Sequence, residues 1–533
     1  MSAFSLRARF AALWRPAVAG LAAAASVVTM AALAPQAHAL DCGRTLTRDT
    51  TLQTDIVECP GDGLVIGANG VDLDLNGLTI DGTGLGVGVR NDGFDNVTIK
   101  NGTISDFDYG VQLNVGTLDA TVSNLSLSLI QVRSMQLRNT DSSEFTKNTI
   151  AEGSRGVLIA GGSADNQFTS NELTRVSNDS IQATGSPGNT FTSNRILWTG
   201  DNALQFQRAP RTTLTGNTIA HNADAAVTLL ASSNSTMQQN RILDSSDAGF
   251  KAQSSSGLTF QNNIFRNVGD SLVLTDTGAI RFIGNKLTNV QDGGTFAGSS
   301  NNVVKDNVIT GIGDTGFDFT GSHDNVIQGN TFTDVFDSAV ALADSDNNLI
   351  EGNTLTTVGD AGIRLFNSHK NQILTNNATA TADSGVLLAF SDDNRIVGNS
   401  VTYNESGVEL TSSHRNVIEA NDATGSLTGG LELDDSYANQ VLRNRASATG
   451  ANGIWVSGPG DGGLGRNTLA GNVAHDNPIN GIFVETPQTR ITNNRAHRNA
   501  GYGIKGVPGV IDGGGNIALN NREVAECLHV ECN

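Results

Sequence analysis

Two acidic and two aromatic residues recur at the spacing of one sequence repeat: Glu409, Glu432, Trp455 and Phe483. The first two lie in the similar runs SGVELT and GGLELD. If successive repeats stack as parallel strands, these side chains project from one face at intervals of roughly 4.8 Å. Two carboxyl groups about 5–5.5 Å apart are typical of a retaining glycosidase, and aromatic rings offer apolar faces to sugar rings. We therefore predict Glu409 and Glu432 as an acid/base pair, with Trp455, Phe483 and the neighbouring Asp434 binding a glycan.

The segment after Trp455 is rich in glycine and interrupts the repeat. It reads SGPGDGGLG (457–465) and lengthens its repeat beyond the usual spacing. Solenoid proteins build binding loops from insertions of this kind. We predict that this loop borders the glycan site.

A second column alternates histidine with aspartate and ends in tyrosine: His323, Asp346, His369, Asp392, His414 and Tyr437. Neighbours in such a column should raise the pKa of each histidine and lower the pKa of each aspartate. His369 and His414 are therefore candidate general bases, and Arg364 is a candidate for neutralising a uronate. Tyr437 is a candidate substrate contact. The alternative is a surface ladder whose alternation only keeps like charges apart.

A third column places a carboxylate before the small residue of each strand: Asp201, Asp224, Asp247, Asp292, Asp314, Asp337, Asp360, Asp383 and Glu405. Carboxylates stacked in this way repel one another unless something compensates. Asx turns, which satisfy backbone donors locally, are one explanation. Ca²⁺ bridging neighbouring coils is the alternative, because hard cations prefer several oxygen ligands. We predict turn chemistry and assign no metal-binding residue.

Asparagine marks the repeat that positions all three columns. The frame x-x-N-x-[IVL]-[ILV]-x-x-N places its last Asn at 330, 353, 376, 399, 421 and 444, and the register extends from Asn76 to Asn521. This period, built from short alternating apolar runs, predicts an all-β parallel β-helix with three faces and about twenty coils. Asparagines at left-handed turn positions should hydrogen-bond along the stack as a ladder.

The first 39 residues predict a Sec signal peptide. They contain three arginines, an apolar core and an A-x-A cleavage site ending at Ala39. Its removal takes the formal charge from −20 to −23, which argues against nucleic acid and anionic membranes as partners. No later segment contains the ~20 apolar residues of a spanning helix. We expect a secreted or periplasmic protein without a membrane span.

Four cysteines occur as two pairs at the ends of the mature chain. Residues 40–62 and 522–533 each hold one pair outside the repeat, and we predict that they are caps around one β-helix domain at 63–521. In an exported protein such pairs form local disulfides, here Cys42–Cys59 and Cys527–Cys532. A shared metal site is the alternative, but the pairs lie at opposite ends of the chain.

From residue 63 to 521 the repeat resembles secreted right-handed parallel β-helix proteins of the pectin-lyase-like superfamily. That group includes uronate lyases, mannuronan C5-epimerases, some glycoside hydrolases and accessory proteins of a copper-enzyme pathway. The resemblance implies the fold. The Asp-Pro-His motif of the epimerases is absent, and Asp-Asn-Pro at 476–478 does not replace it. The mature chain also lacks the Met, His or Cys cluster expected for copper.

Two classes of function fit these patterns. The first is a carbohydrate-active enzyme, a hydrolase or a lyase/epimerase, that needs no cofactor and acts on an extracellular polysaccharide. The second is a non-catalytic binding or structural protein with an acidic, Ca²⁺-binding face. The patterns assign no oligomeric state.

Overall fold

The structure is a computed structural model that describes residues 40–458 and 465–533. The predicted signal peptide and six residues of the loop after Trp455 lie outside this range. The described residues form only short strands and turns, and the paired strands run parallel to their counterparts about one repeat away. The predicted all-β parallel solenoid is therefore confirmed.

Each coil contributes up to three strands, one to each face. Each strand pairs in register with its counterpart in the next coil, as two consecutive coils illustrate. Their strands are Thr331–Val335, Val340–Ala343 and Leu349–Glu351, followed by Thr354–Val358, Ile363–Phe366 and Gln372–Leu374.

The second strands of the coils form a 22-stranded parallel sheet, which carries the predicted glycan site. Its strands are Arg44–Leu46, Leu64–Ile66, Val87–Asn91, Tyr109–Leu113, Arg133–Arg138, Val157–Ala160, Ile181–Thr184, Leu204–Gln207, Val227–Leu230, Phe250–Gln253, Leu272–Thr275, Gly294–Ala297, Phe317–Thr320, Val340–Ala343, Ile363–Phe366, Val386–Ala389, Val408–Thr411, Leu431–Asp434, Ile454–Val456, Ile482–Val484, Ile504–Lys505 and Cys527–Leu528.

Alternation along each strand separates the core from the surface. In Ile363–Phe366 the two aliphatic side chains are buried, while Arg364 and Phe366 are exposed, as predicted. Inward positions stack as columns of one residue class, for example Ile350, Ile373 and Ile396, all fully buried. Each such side chain contributes about 1.5–3 kcal/mol of burial free energy.

The predicted asparagine ladder is present in the interior. The Asn330 amide nitrogen donates to Asn353 Oδ1 at 3.0 Å, and Asn353 donates to Asn376 Oδ1 at 2.9 Å. Each Oδ1 also accepts the backbone N–H of the preceding ladder residue, as Asn353 does from Asn330 at 2.9 Å. The first asparagine of the frame forms a second ladder, in which Asn325 donates to Asn348 at 3.0 Å.

Two details of the predicted register are wrong. In the central coils the residue before the ladder asparagine adopts the left-handed conformation, as Gly329 does (φ 64°). The ladder asparagine comes after this turn residue, and its side-chain amide points into the interior. Asn76, Asn101 and Asn124 do have positive φ and lie one residue before the ladder position, so the amide of Leu125 donates to Asn148 Oδ1. At the other end, Asn494 donates to Asn516 rather than to Asn521.

Both predicted disulfides are present. Cys42 and Cys59 join with Cα atoms 5.5 Å apart, and Cys527 and Cys532 with Cα atoms 6.1 Å apart. At the C-terminal end a third asparagine ladder reaches Asn521, whose side-chain amide donates to Glu526 Oε2 at 2.6 Å. That carboxylate takes the place of the next asparagine, so the last buried donor is satisfied.

Candidate functional site

The 22-stranded sheet places the predicted glycan residues on consecutive rungs. Glu409 pairs with Glu432, Glu432 with Trp455, and Trp455 with Phe483. All four side chains alternate with buried residues and face outward, where they are half-buried. We call these four residues the outward column. The sequence register could bring them together because a parallel solenoid stacks each residue on its equivalent.

Glu409 lies in a partly desolvated position. Burial is the main cause of a raised pKa of its carboxyl group, and the charge on Asp383 adds to it. The Ser384 hydroxyl donates to Glu409 Oε2 at 2.8 Å and works in the opposite direction. A carboxyl group with a raised pKa is suited to serve as a general acid near neutral pH.

Glu432 is held by a separate set of hydroxyl groups. Ser406 Oγ donates to Glu432 Oε1 at 3.2 Å and lies 2.7 Å from the Thr428 hydroxyl. On the same strand Asp434 is exposed and accepts a hydrogen bond from Ser457 Oγ at 2.6 Å. The two glutamates thus have independent positioning groups on adjacent strands.

The aromatic end of the outward column carries a cation and an unused donor. Lys505 Nζ lies 4.5 Å from the centroid of the Phe483 ring. Trp455 Nε1 is buried, and no hydrogen-bond acceptor reaches it within the part of the chain that the structure describes. Because Nε1 is buried, a ligand on the outward face would contact the Trp455 ring rather than this donor.

Arg364, the residue predicted to neutralise a uronate, already has a carboxylate partner in this structure. It lies two rungs from Glu409, with Leu387 between them. Its guanidinium forms an ion pair with Asp360 at 3.4 Å. The repeat spacing predicts that Arg364 faces outward on the same sheet as Glu409. It does not predict the ion pair with Asp360, because that contact depends on side-chain torsions.

The histidine column lies in the turn after each second strand, and it is a ladder of backbone contacts. His369 Nδ1 accepts the backbone N–H of Asp392 at 3.0 Å, and His414 Nδ1 accepts that of Tyr437 at 3.1 Å. The Asp392 carboxylate accepts the N–H of His414 at 2.7 Å, and the His414 and Tyr437 rings stack at 4.8 Å. The predicted lowering of an aspartate pKa occurs at the adjacent Asp393, where a hydrogen bond from Arg415 is the main cause. These contacts support the surface-ladder interpretation.

The acidic column is longer than the sequence pattern indicated, because it includes Asp270. The pKa of Asp270 is raised to about 6, chiefly by burial and then by the charge on Asp292. Elsewhere in the column hydroxyl groups stabilise the negative charge of a carboxylate. The Ser338 hydroxyl, for example, donates to Asp360 at 2.9 Å. Within the described residues, no group of three or more His, Cys, Asp or Glu side chains is arranged to hold a metal. Calcium binding by this column stays a prediction.

A groove that the repeat pattern does not reveal lies near the outward column. It has a volume of about 1090 Å³ and is lined by Asp314, Phe336, Asp337, Asp360, Arg364 and Tyr403, among others. We call it the acidic groove. Its exposed apolar side chains, Phe336, Tyr403 and Leu427, lie outside the strands and therefore outside the two-residue alternation. The signal available was the presence of large apolar residues at turn positions.

A second aromatic surface lies in an earlier part of the chain. Trp198 and His221 stack with ring centroids 4.0 Å apart, and both have φ of 60°. They line a pocket of about 560 Å³ together with Arg175 and Asp244. Both residues lie within strands, Arg195–Thr199 and Thr218–Asn222, where the left-handed conformation interrupts the regular alternation that the sequence spacing predicts.

Comparison with known families identifies the class of protein. A model described as "Right handed beta helix region" matches residues 50–196 and 156–295. A model described as "Periplasmic copper-binding protein (NosD)" matches residues 233–404 and 314–446. Together with the parallel pairing of the strands, these matches show that the chain is a right-handed parallel β-helix protein.

Solved structures with similar backbones have low sequence identity. The A-module of the Azotobacter vinelandii mannuronan C-5 epimerase AlgE4 is 12% identical, with a TM-score of 0.35, over 55% of this chain and 86% of that one. The DFA-IIIase of Arthrobacter chlorophenolicus A6 without its lid is 12% identical, with a TM-score of 0.32, over 62% and 83%. A comparison with curated proteins finds no match. These comparisons therefore assign no activity to the chain.

The described residues do not fit a copper site of the kind that the second family description names. Copper(I) prefers soft thiolate and thioether ligands. All four cysteines form disulfides, and Met135 and Met237 are buried. The column histidines direct Nδ1 to backbone amides.

The part of the chain that the structure describes contains no helix of the length and hydropathy that a membrane span requires.

Proposed function

We propose that this protein is exported, binds an extended polysaccharide across the outward column and hydrolyses it there. One observation carries the proposal. Glu409, Glu432, Trp455 and Phe483 occupy consecutive rungs of one sheet and face outward. A glycan lying along the stack would contact carboxyl groups and aromatic faces within a few rungs of each other.

The chemistry follows from the spacing of the two glutamates. Adjacent strands lie roughly 4.8 Å apart, near the separation of carboxyl groups in retaining glycosidases. Glu409, whose raised pKa favours the protonated form, donates its proton to the glycosidic oxygen as the C–O bond breaks. The Glu432 carboxylate attacks the anomeric carbon. Water then hydrolyses the glycosyl ester, with the Glu409 carboxylate taking the water proton.

Hydrolysis is favoured over uronate elimination or epimerisation. Those reactions need a cation against the substrate carboxylate and a base for the C5 proton. Arg364 is paired with Asp360, and Lys505 lies three rungs from Glu432, beyond Trp455 and Phe483. His369 and His414 accept backbone N–H groups in a turn outside the strand that carries Glu409. The available groups therefore support acid/base hydrolysis.

Export is part of the proposal. Two disulfides are typical of proteins that fold in an oxidising compartment, such as the periplasm or the extracellular space. Processing after Ala39 by the Sec pathway would deliver the chain there. N-terminal sequencing of the exported product should begin at Leu40.

A panel of neutral, amino and uronic polysaccharides tests the proposal. The mature protein is incubated with each, while reducing ends and the ultraviolet absorbance of unsaturated products are followed. New reducing ends without absorbance support hydrolysis. Reducing ends with absorbance would indicate a lyase, and binding without product would indicate a non-catalytic protein. The proposal is contradicted if the protein neither binds nor converts any member of the panel.

A further inference from the structure

Three large apolar side chains of the acidic groove are open to solvent. Phe336 is 75% exposed, Tyr403 is 65% exposed and Leu427 is 72% exposed. The Tyr403 ring rests against Gly425, where an added Cβ would lie 2.7 Å from the ring. Exposed aromatics beside a concave surface are typical of ligand-binding sites.

The charge of the acidic groove is strongly negative. Its described lining contains Asp314, Asp334, Asp337 and Asp360, and Arg364 is the one cation among the lining residues. That guanidinium already pairs with Asp360. Burial raises the pKa of Asp337, and Asp360 adds to this by hydrogen bonding and charge. The carboxylates therefore lack sufficient positive charge from the protein itself.

The lining of the acidic groove approaches the outward column without including any of its four residues. Arg364 lines the groove and is also two rungs from Glu409 on the same sheet. On the other side, Leu427 is followed by Thr428, whose hydroxyl contacts Ser406, the residue that donates to Glu432. A chain molecule in the groove would therefore extend toward the two glutamates.

We propose that the acidic groove binds the same glycan chain as the outward column, and that this glycan carries ammonium groups, as a polymer of unacetylated amino sugar does. This inference rests on the proposed function and adds the class of substrate. Ammonium groups would offset the carboxylates, while Phe336 and Tyr403 would contact the sugar faces. A uronate polymer would place further negative charge beside Asp314 and Asp337, which is repulsive.

Calorimetric titration of the mature protein with four matched probes tests the inference. The probes are a glucosamine hexamer, an N-acetylglucosamine hexamer, a galacturonate hexamer and hexalysine, at a pH where the amino groups are protonated. We expect the glucosamine hexamer to bind at least tenfold more tightly than each of the other three. Its affinity should fall as salt is added, because the attraction is screened.

Two double variants locate the binding. Asp314→Asn with Asp337→Asn should weaken glucosamine-hexamer binding about tenfold without lowering the melting temperature. Asp306→Asn with Asp324→Asn makes the same change of charge at exposed turn positions outside the groove and should leave binding unchanged. Equal loss in both double variants would overturn the inference, since binding would then follow net charge alone.

The probes also separate this inference from the proposed function. Preference for galacturonate, or equal binding of the acetylated hexamer, overturns the amino-sugar inference and leaves glycan binding intact. Equal binding of hexalysine overturns it as well, because the groove would then recognise charge without sugar. If none of the three sugars binds, the amino-sugar inference fails, and the polysaccharide panel alone decides the proposed function.

Discussion

Glu409 and Glu432 are chemically identical residues on neighbouring rungs, and under the proposed function their different surroundings suit them to different roles. Glu409 is desolvated and lies close to the charge of Asp383, which keeps its carboxyl group protonated at higher pH. Glu432 accepts from Ser406, which is itself in contact with Thr428. A general acid and a nucleophile can therefore arise from one repeated residue type because the neighbouring coils differ.

The pH dependence of turnover should depend on Ser384. Its hydroxyl stabilises the Glu409 carboxylate, so Ser384→Ala should raise the pKa of Glu409 further. If Glu409 is the general acid, the decline of kcat at high pH should move to higher pH in this variant. Ser338→Ala, which changes a hydroxyl bonded to Asp360, is the control. An identical pH profile for wild type and Ser384→Ala would contradict the assignment.

Removing the Trp455 ring should affect binding more than chemistry. Trp455→Ala deletes the apolar ring face that the outward column presents between Glu432 and Phe483. We expect KM to rise about tenfold with kcat within a few-fold of wild type, as when binding is lost equally in ground and transition states. Steady-state kinetics on the polysaccharide identified in the panel measures both constants. A selective loss of kcat would contradict a binding role.

At the residue scale, repeat spacing was sufficient wherever a side chain stacks on its equivalent. It therefore predicted the register of Glu409, Glu432, Trp455 and Phe483. It did not predict the pairing of Arg364 with Asp360, which depends on side-chain torsions. It also missed Phe336 and Tyr403, because turn residues fall outside the two-residue alternation of strands.

At the scale of the element, the asparagine ladders link each turn to the next. A ladder asparagine donates two hydrogen bonds and accepts two, so its loss leaves several buried backbone and side-chain groups unpaired. The two wrongly predicted ladder positions, Asn124 and Asn521, have a single cause. The sequence shows an asparagine near the expected position, whereas burial decides which residue of the turn points inward.

Asn399→Ala should destabilise the fold without acting on the site directly. Asn399 Nδ2 donates to Asn421 Oδ1 and to the Ile373 carbonyl, each at 2.9 Å, and its Oδ1 accepts from Asn376. Leaving such groups unpaired costs about 1–3 kcal/mol each. We expect a lower melting temperature by calorimetry and unchanged kcat in the protein that remains folded. Asn377→Ala, at the exposed position that follows the ladder residue Asn376, is the control. Equal stability of Asn399→Ala and wild type would contradict the ladder's structural role.

At the scale of the whole molecule, the solenoid repeats its charges as well as its strands. Stacking brings Asp270 beside Asp292 and raises the pKa of Asp270 to about 6. A carboxyl group whose pKa is higher in the folded than in the unfolded state favours folding at low pH. That contribution is lost as pH rises from about 4 to about 6.

Asp270→Asn should therefore stabilise the protein at pH 7 and have little effect at pH 4. After allowance for solvent screening of this half-buried group, the gain is about 1 kcal/mol. Melting temperatures at the two pH values measure it. The exposed Asp306→Asn is the matched control, for which we expect no difference between the two pH values. A lower melting temperature of Asp270→Asn at pH 7 would show that this carboxylate is compensated, as a bound cation would do.

The most direct test of the central claim compares turnover in Glu409→Gln, Glu432→Gln and Glu144→Gln. The last residue is exposed on a strand outside the 22-stranded sheet and serves as the control. We predict that the first two variants lose turnover of the panel-identified polysaccharide by at least a hundredfold, with melting temperatures close to wild type, and that the control keeps full activity. Full activity in both Glu409→Gln and Glu432→Gln would contradict the account.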